Sequence, residues 1–297
     1  MQKNILLLLL ATTFLGCNSF SKKSEEIEQK KVLTVTIEPQ RYFLDQIVGD
    51  NFTINTLVPP GTSPETYEPA PSVIVDMANS SLYFKVGDLG FEKAWSSRMG
   101  DINPNVGIVD CSVGIELMEG HEHNHDHNHN HAEGHNHGAL DPHVWSSPSA
   151  IKIFAENMLD AVISIDRENE DEYLANFTNF INRVDSVDRV IREYLENAPK
   201  SFIIYHPALG YFAQDYDLHQ HSIEFEGKNP SPVQIKQLVD LAKKENITTV
   251  FVQKGFDVKN GEVIAKEIDA DVFEIDPLSY DWDKELIRIA SIIGRDK

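Results

Sequence analysis

Cysteine is nearly absent: the 297-residue chain has two, Cys17 and Cys111. If Cys17 serves elsewhere, no intrachain disulfide can form and the fold must rest on its core. Bases are scarce too, 26 Lys and Arg against 47 Asp and Glu, a formal charge of −21. That balance argues against nucleic acid as a partner, since phosphates need a basic surface. It suits a body that attracts cations. No apolar run reaches the ~20 residues that span a bilayer. Also missing are an HExxH helix, a nucleophile elbow and a glycine-rich phosphate loop. What is present is an ordinary globular composition, 41% hydrophobic and 25% charged, in a chain long enough for about two domains. One residue is in excess: there are twelve histidines.

Residues 1–16, MQKNILLLLLATTFLG, place one Lys ahead of an apolar run that is too short to span. They read as a signal peptide. Small Gly16 precedes Cys17, the pattern of a bacterial lipoprotein signal in which Cys17 is lipidated and becomes the first mature residue. Phe14 departs from the usual Leu, and a cleaved signal with an incidental cysteine is the alternative. Residues 17–31 are polar and charged and read as a flexible tether between membrane and body.

Beyond the tether, short runs rich in Val, Ile, Phe and Thr alternate with helix-like stretches. Strands are expected at 32–37, 52–58, 82–86 and 106–111, then at 201–205, 218–224, 248–253 and 271–275. Alternation of β and α implies parallel sheets covered by helices, and the four-plus-four spacing implies two similar lobes. The expected division is 32–165, a linking helix over 166–197, and 198–297. Tyr173, Phe177, Phe180, Ile181, Val184, Val187, Ile191 and Leu195 recur in steps of three and four. They give one apolar stripe on a helix of about 30 residues that ties the lobes together.

Residues 120–138 read GHEHNHDHNHNHAEGHNHG. His121, His123, His125, His127, His129, His131, His135 and His137 alternate with polar or acidic neighbours and have almost nothing apolar to pack. Neutral imidazole is the common ligand of zinc, copper and nickel. The segment therefore reads as a low-affinity auxiliary metal collector without imposed geometry. A pH-sensing tract and a purification tag are the alternatives.

Four further places put a potential ligand just past the carboxyl ends of expected strands, where open α/β sheets bind their ligands. Glu65 and Glu68 sit in the proline-rich turn after 52–58. His143 lies in Asp141-Pro142-His143-Val144-Trp145, ahead of a helix start at Ser147-Pro148. His206 tips the strand 201–205, and Asp276 the strand 271–275. Each alone is weak, since a strand-end acid is often a helix cap. Four at equivalent positions, beside a metal-collecting segment, form a coherent set. Cys111 reads as a small buried apolar residue. His219 and His221 share one face of a strand, and Trp145 and Tyr211 read as core or cleft wall.

The segments 57–72 (LVPPGTSPETYEPAPS), 141–148 (DPHVWSSP), 206–216 (HPALGYFAQDY) and 274–278 (EIDPL) resemble the ZnuA-like zinc/manganese solute-binding lipoproteins of bacterial ABC importers (cluster A-I). The resemblance spans nearly the whole chain after the tether. It implies two (β/α)4 lobes with parallel sheets joined by a long backbone helix, and a metal in the interlobe cleft. It also implies a shell of Glu65, His143, His206 and Asp276, with Glu65 standing where the family usually has His. Two nitrogens and two carboxylate oxygens suit tetrahedral Zn2+ and also Mn2+; the histidine-rich segment favours zinc. Water in place of Glu65 is an alternative, with Glu68 as the fallback acid. A disulfide found in the second lobe of zinc-type relatives cannot form here.

The resemblance further implies a monomeric, non-enzymatic, extracytoplasmic binding protein, held to the membrane through Cys17, that delivers metal to an ABC permease and its ATPase. The competing readings are a surface metal buffer or adhesin without a transporter, and a metal-dependent hydrolase.

Overall fold

The computed structural model describes residues 30–87, 89–93, 95, 98, 103–120, 140–224 and 228–296. The signal segment, Cys17, most of the tether and the eight clustered histidines lie outside the described residues.

All eight expected strands form, and they fall into two four-stranded parallel sheets. The first holds β1 (Val32–Val35), β2 (Thr53–Thr56), β3 (Ser80–Lys85) and β4 (Gly107–Asp110) in the order β2-β1-β3-β4. The second holds β5 (Ser201–Ile204), β6 (His219–Ser222), β7 (Thr249–Gln253) and β8 (Asp271–Ile275) in the order β6-β5-β7-β8. The two topologies are the same. Central strands are buried on both faces, as in β7, Thr-Val-Phe-Val-Gln, where every residue is buried. The edge strand β6, His-Gln-His-Ser, is polar and partly exposed, which protects an open edge from pairing with another chain.

The connections include α1 (Glu38–Val48) and α2 (Pro71–Ala78) in the first lobe. The second lobe carries α5 (Gly210–Asp215), α6 (Pro232–Glu245), α7 (Lys259–Ile268) and α8 (Trp282–Ile293). Between the lobes run α3 (Pro148–Ile165) and α4 (Glu170–Leu195). Pro148 opens α3 at N1, and the Ser147 side chain caps it by accepting from the Ala150 N–H at 3.0 Å. The turn Arg167–Asn169 redirects the chain, pinned by Asp166, whose Oδ2 accepts from the Asn169 amide at 2.9 Å and the Tyr173 hydroxyl at 2.6 Å.

The linking helix α4 is 26 residues long, and its apolar stripe is inside: Tyr173, Phe180, Val184, Val187, Ile191 and Leu195 are buried. Burying six such side chains stabilises by roughly 9–18 kcal/mol before entropy is counted. The helix packs on α1, α3 and α8. One apolar cluster therefore runs through both lobes, from Leu33, Phe43 and Phe84 through Phe180 to Phe202, Phe212 and Trp282. Cys111 is fully buried in it. Burial lifts its thiol well above the ordinary range, so it behaves as a small apolar residue.

Candidate metal site between the lobes

In both sheets the strand order reverses direction between the first and third strands of the lobe, which opens a crevice at their carboxyl ends. His206 follows β5 and Gln253 ends β7, the two strands that flank this point in the second lobe. The Gln253 side chain clamps the His206 peptide: its Oε1 accepts from the His206 N–H at 3.1 Å and its amide donates to the His206 carbonyl. The parallel register pairs Ile204 with Ser222. Two residues further on, His206 stands opposite Glu224, and His206 Nδ1 meets Glu224 Oε2 at 2.6 Å.

His143 arrives from the segment just before α3. Asp141 Oδ1 accepts from both the His143 backbone N–H, at 2.9 Å, and Nδ1, at 2.7 Å. The segment is stitched to the second lobe by two indoles: Trp145 Nε1 donates to Pro277 O at 2.9 Å and Trp282 Nε1 to Trp145 O at 2.6 Å. Tyr211 OH donates to Asp141 O and accepts from Met118 N–H, both at 2.9 Å. Glu119 and Leu140 form an antiparallel bridge, so the base of the histidine-rich segment lies directly before Asp141.

These supports bring the two imidazoles together. Their Nε2 atoms are 3.2 Å apart and their ring centroids 5.1 Å. With each Nδ1 committed to a carboxylate, the hydrogen-bond pattern leaves both Nε2 lone pairs facing a common point. Two nitrogens of a tetrahedral zinc, at the usual Zn–N distance, lie about 3.3–3.4 Å apart, so the pair is spaced for one ion. Aromatic rings wall it in: Phe256 stacks on His206 at 5.8 Å, and Trp145 lies 5.1 Å from His143.

Glu65 and Asp276 line the same cavity, of about 50 Å³, together with His143, His206, Lys254 and Phe256. That volume takes a small ion and leaves no room for an organic solute. Both carboxylates are engaged elsewhere. Glu65 is exposed, and its Oε2 accepts from Gly90 N–H at 3.2 Å. Asp276 Oδ2 lies 3.6 Å from Lys254 Nζ. Among the described residues, no three His, Cys, Asp or Glu side chains gather as a ready-made ion site. The structure thus joins two of the four sequence-predicted ligands and places the other two on the walls. Glu68 is exposed in the turn. His221 pairs with Glu245 at 2.9 Å, on the outer edge of the second sheet.

Two residues beyond Gly90, the partner of Glu65, stands an acid that sequence reasoning did not single out. Glu92 is 1% exposed. It accepts from Thr36 Oγ1 at 2.5 Å, Val86 N–H at 2.6 Å and Gly87 N–H at 2.8 Å. Burial outweighs these bonds and raises its carboxyl above the ordinary value. The stretch it fixes presents Gly90, where a β-carbon would sit 2.7 Å from Glu65 Oε2 and 2.9 Å from Glu65 O, so glycine is required for this approach. Asp141 and Glu224 were also missed as functional residues, although Asp141 stood two residues from His143 and Glu224 closed an expected strand.

Residues 33–286 match the family described as zinc-uptake complex component A, periplasmic. The high-affinity zinc uptake system protein ZnuA of Bacillus subtilis is 32% identical over 274 residues, covering 89% of this chain and 85% of that protein. A crystal structure of ZnuA superposes with a TM-score of 0.82 at 35% identity, covering 90% of this chain and 99% of the other. A zinc-bound ZnuA deletion mutant gives 0.80 at 35% identity, over 90% of this chain and 97% of the other. The chain therefore belongs to the ZnuA family, the non-catalytic metal-binding components of zinc-type ABC import systems.

Proposed function

We propose that this protein captures one Zn2+ between its lobes on His143 Nε2 and His206 Nε2, and passes it to the permease of an ABC importer. Glu65 and Asp276 complete the shell by turning in from the cavity walls once cargo arrives; Mn2+ is the second ion that this donor set admits. The observation that carries the reading is the pair of imidazoles, brought from either side of the linking helices to 3.2 Å with both outer nitrogens anchored on carboxylates. Such carboxylate–histidine pairs set the tautomer and ring orientation that expose Nε2.

Ligand imidazoles bind metal only when deprotonated, so uptake releases protons and weakens in acid. A core shared by both lobes opposes wide hinge opening. Release then proceeds by local movement of the turns carrying Glu65 and Asp276. The histidine-rich segment, 120–138, collects metal, and a lipid on Cys17 holds the monomer at the extracytoplasmic face of a membrane. Among the described residues no helix is long and apolar enough to cross one.

Metal analysis of the protein lacking residues 120–138 tests this. One tight zinc per chain is expected, and it should be lost in His143→Ala and in His206→Ala. Loss of the tight site together with the segment, or its retention in either histidine variant, would overturn the assignment.

A further inference from the structure

A cationic side chain borders the cavity. Lys254 is the one lysine or arginine among the described residues that line it. Its starting point is fixed: it follows Gln253, which clamps His206, and its own N–H donates to Ile275 O at 2.8 Å, next to Asp276. Gly255 then turns the chain away at φ +90°. The ammonium is consequently held beside Asp276 Oδ2, at 3.6 Å, on a stem whose side chain is 55% exposed. The charge can leave for water without disturbing any strand.

We propose that Lys254 is the cargo's internal competitor: its ammonium occupies Asp276 in the empty protein, and the incoming metal ion must displace it. This rests on the reading of the cleft given above. The exchange has a definite charge balance. One positive charge leaves the carboxylate and two arrive, so a divalent ion gains by the swap and a monovalent ion does not. The same lysine neutralises Asp276 on a cavity wall that Glu65 also lines, and it sets how tightly the metal is finally held.

Zinc affinity, measured by competition with a chromophoric chelator, separates the possibilities. Lys254→Gln removes the charge at similar length and should tighten zinc about 3–5-fold, the range expected from freeing Asp276 of a half-exposed ion pair. Lys254→Arg keeps the charge and should stay near wild type. In an Asp276→Asn background the gain from Lys254→Gln should shrink to less than about 2-fold. Unchanged or weaker zinc binding in Lys254→Gln, beside a wild type that binds one zinc tightly, overturns the competitor role while leaving the site intact. An equal gain in both backgrounds overturns it as well. A wild type that takes up no zinc overturns the site and the competitor together.

Discussion

The carboxylate behind His143 offers the sharpest test of how the site works. Asp141 has a side chain 5% exposed and uses one oxygen to hold both the backbone and Nδ1 of His143. Asp141→Ala leaves the imidazole free to turn and to take the other tautomer. Loss of such a partner typically weakens metal binding by about 10–100-fold, or roughly 1.4–2.8 kcal/mol. A buried N–H without an acceptor also costs about 1–3 kcal/mol of stability. Affinity must therefore be read by chelator competition well below the melting temperature, with circular dichroism confirming the fold. Asp141→Asn keeps an acceptor but not the charge and should fall between alanine and wild type. Glu224, behind His206, is 13% exposed, so water can partly replace it, and Glu224→Ala should lose less than Asp141→Ala. Wild-type affinity in a folded Asp141→Ala protein would refute the orientation argument; a larger loss at Glu224 would refute the ranking by burial.

Other expectations follow from the cavity walls and the supporting acid. Glu65→Ala should weaken zinc while leaving stoichiometry at one; affinity unchanged in a titration would mean that Glu65 stays on Gly90 and water fills its place. Gly255 has φ +90°, and a β-carbon there would lie 3.0 Å from Gly61 O across the cleft mouth. Gly255→Ala should therefore cost about 1–2 kcal/mol, a Tm fall of about 2–6 °C by calorimetry, and an undiminished Tm would show the turn to be unstrained. Glu92 binds its proton more tightly folded than unfolded. Its contribution to stability must thus decline as pH rises from its ordinary 4.5 through the raised folded value. Urea midpoints from pH 4.5 upward should show this decline in wild type and lack it in Glu92→Gln; equal slopes would refute the burial argument.

The alternation of short Val- and Ile-rich runs made both sheets legible, because central parallel strands buried on two faces must be continuously apolar. His206 was legible for the same reason, as a polar residue just past such a strand, whereas His143 directly follows no strand among the described residues and stood out only in its Asp-Pro-His segment ahead of a helix start. Asp141 and Glu224 carried a weaker signal. Their roles depend on side-chain direction and on the β5–β6 register, which brings Glu224 to His206 across 18 positions of sequence. Glu92 looked like any helical acid beside Phe91, and only the folded core shows it enclosed. Lys254 is exposed and had no pattern to mark it. Glu65 and Asp276 line the cavity that holds the two imidazoles, but their carboxylates turn to Gly90 and Lys254, and strand-end positions do not encode side-chain rotation.

The apolar cluster threaded through both lobes has a thermodynamic consequence. Neither half owns a complete interior: Phe180, Ile191 and Leu195 on the linking helix are buried in a single cluster that holds residues of both lobes. Either lobe made alone would present this seam to water and tend to aggregate, despite having a full set of strands. Heat should dissolve the whole molecule in a single calorimetric peak, and bound zinc should raise that peak as one unit rather than split it.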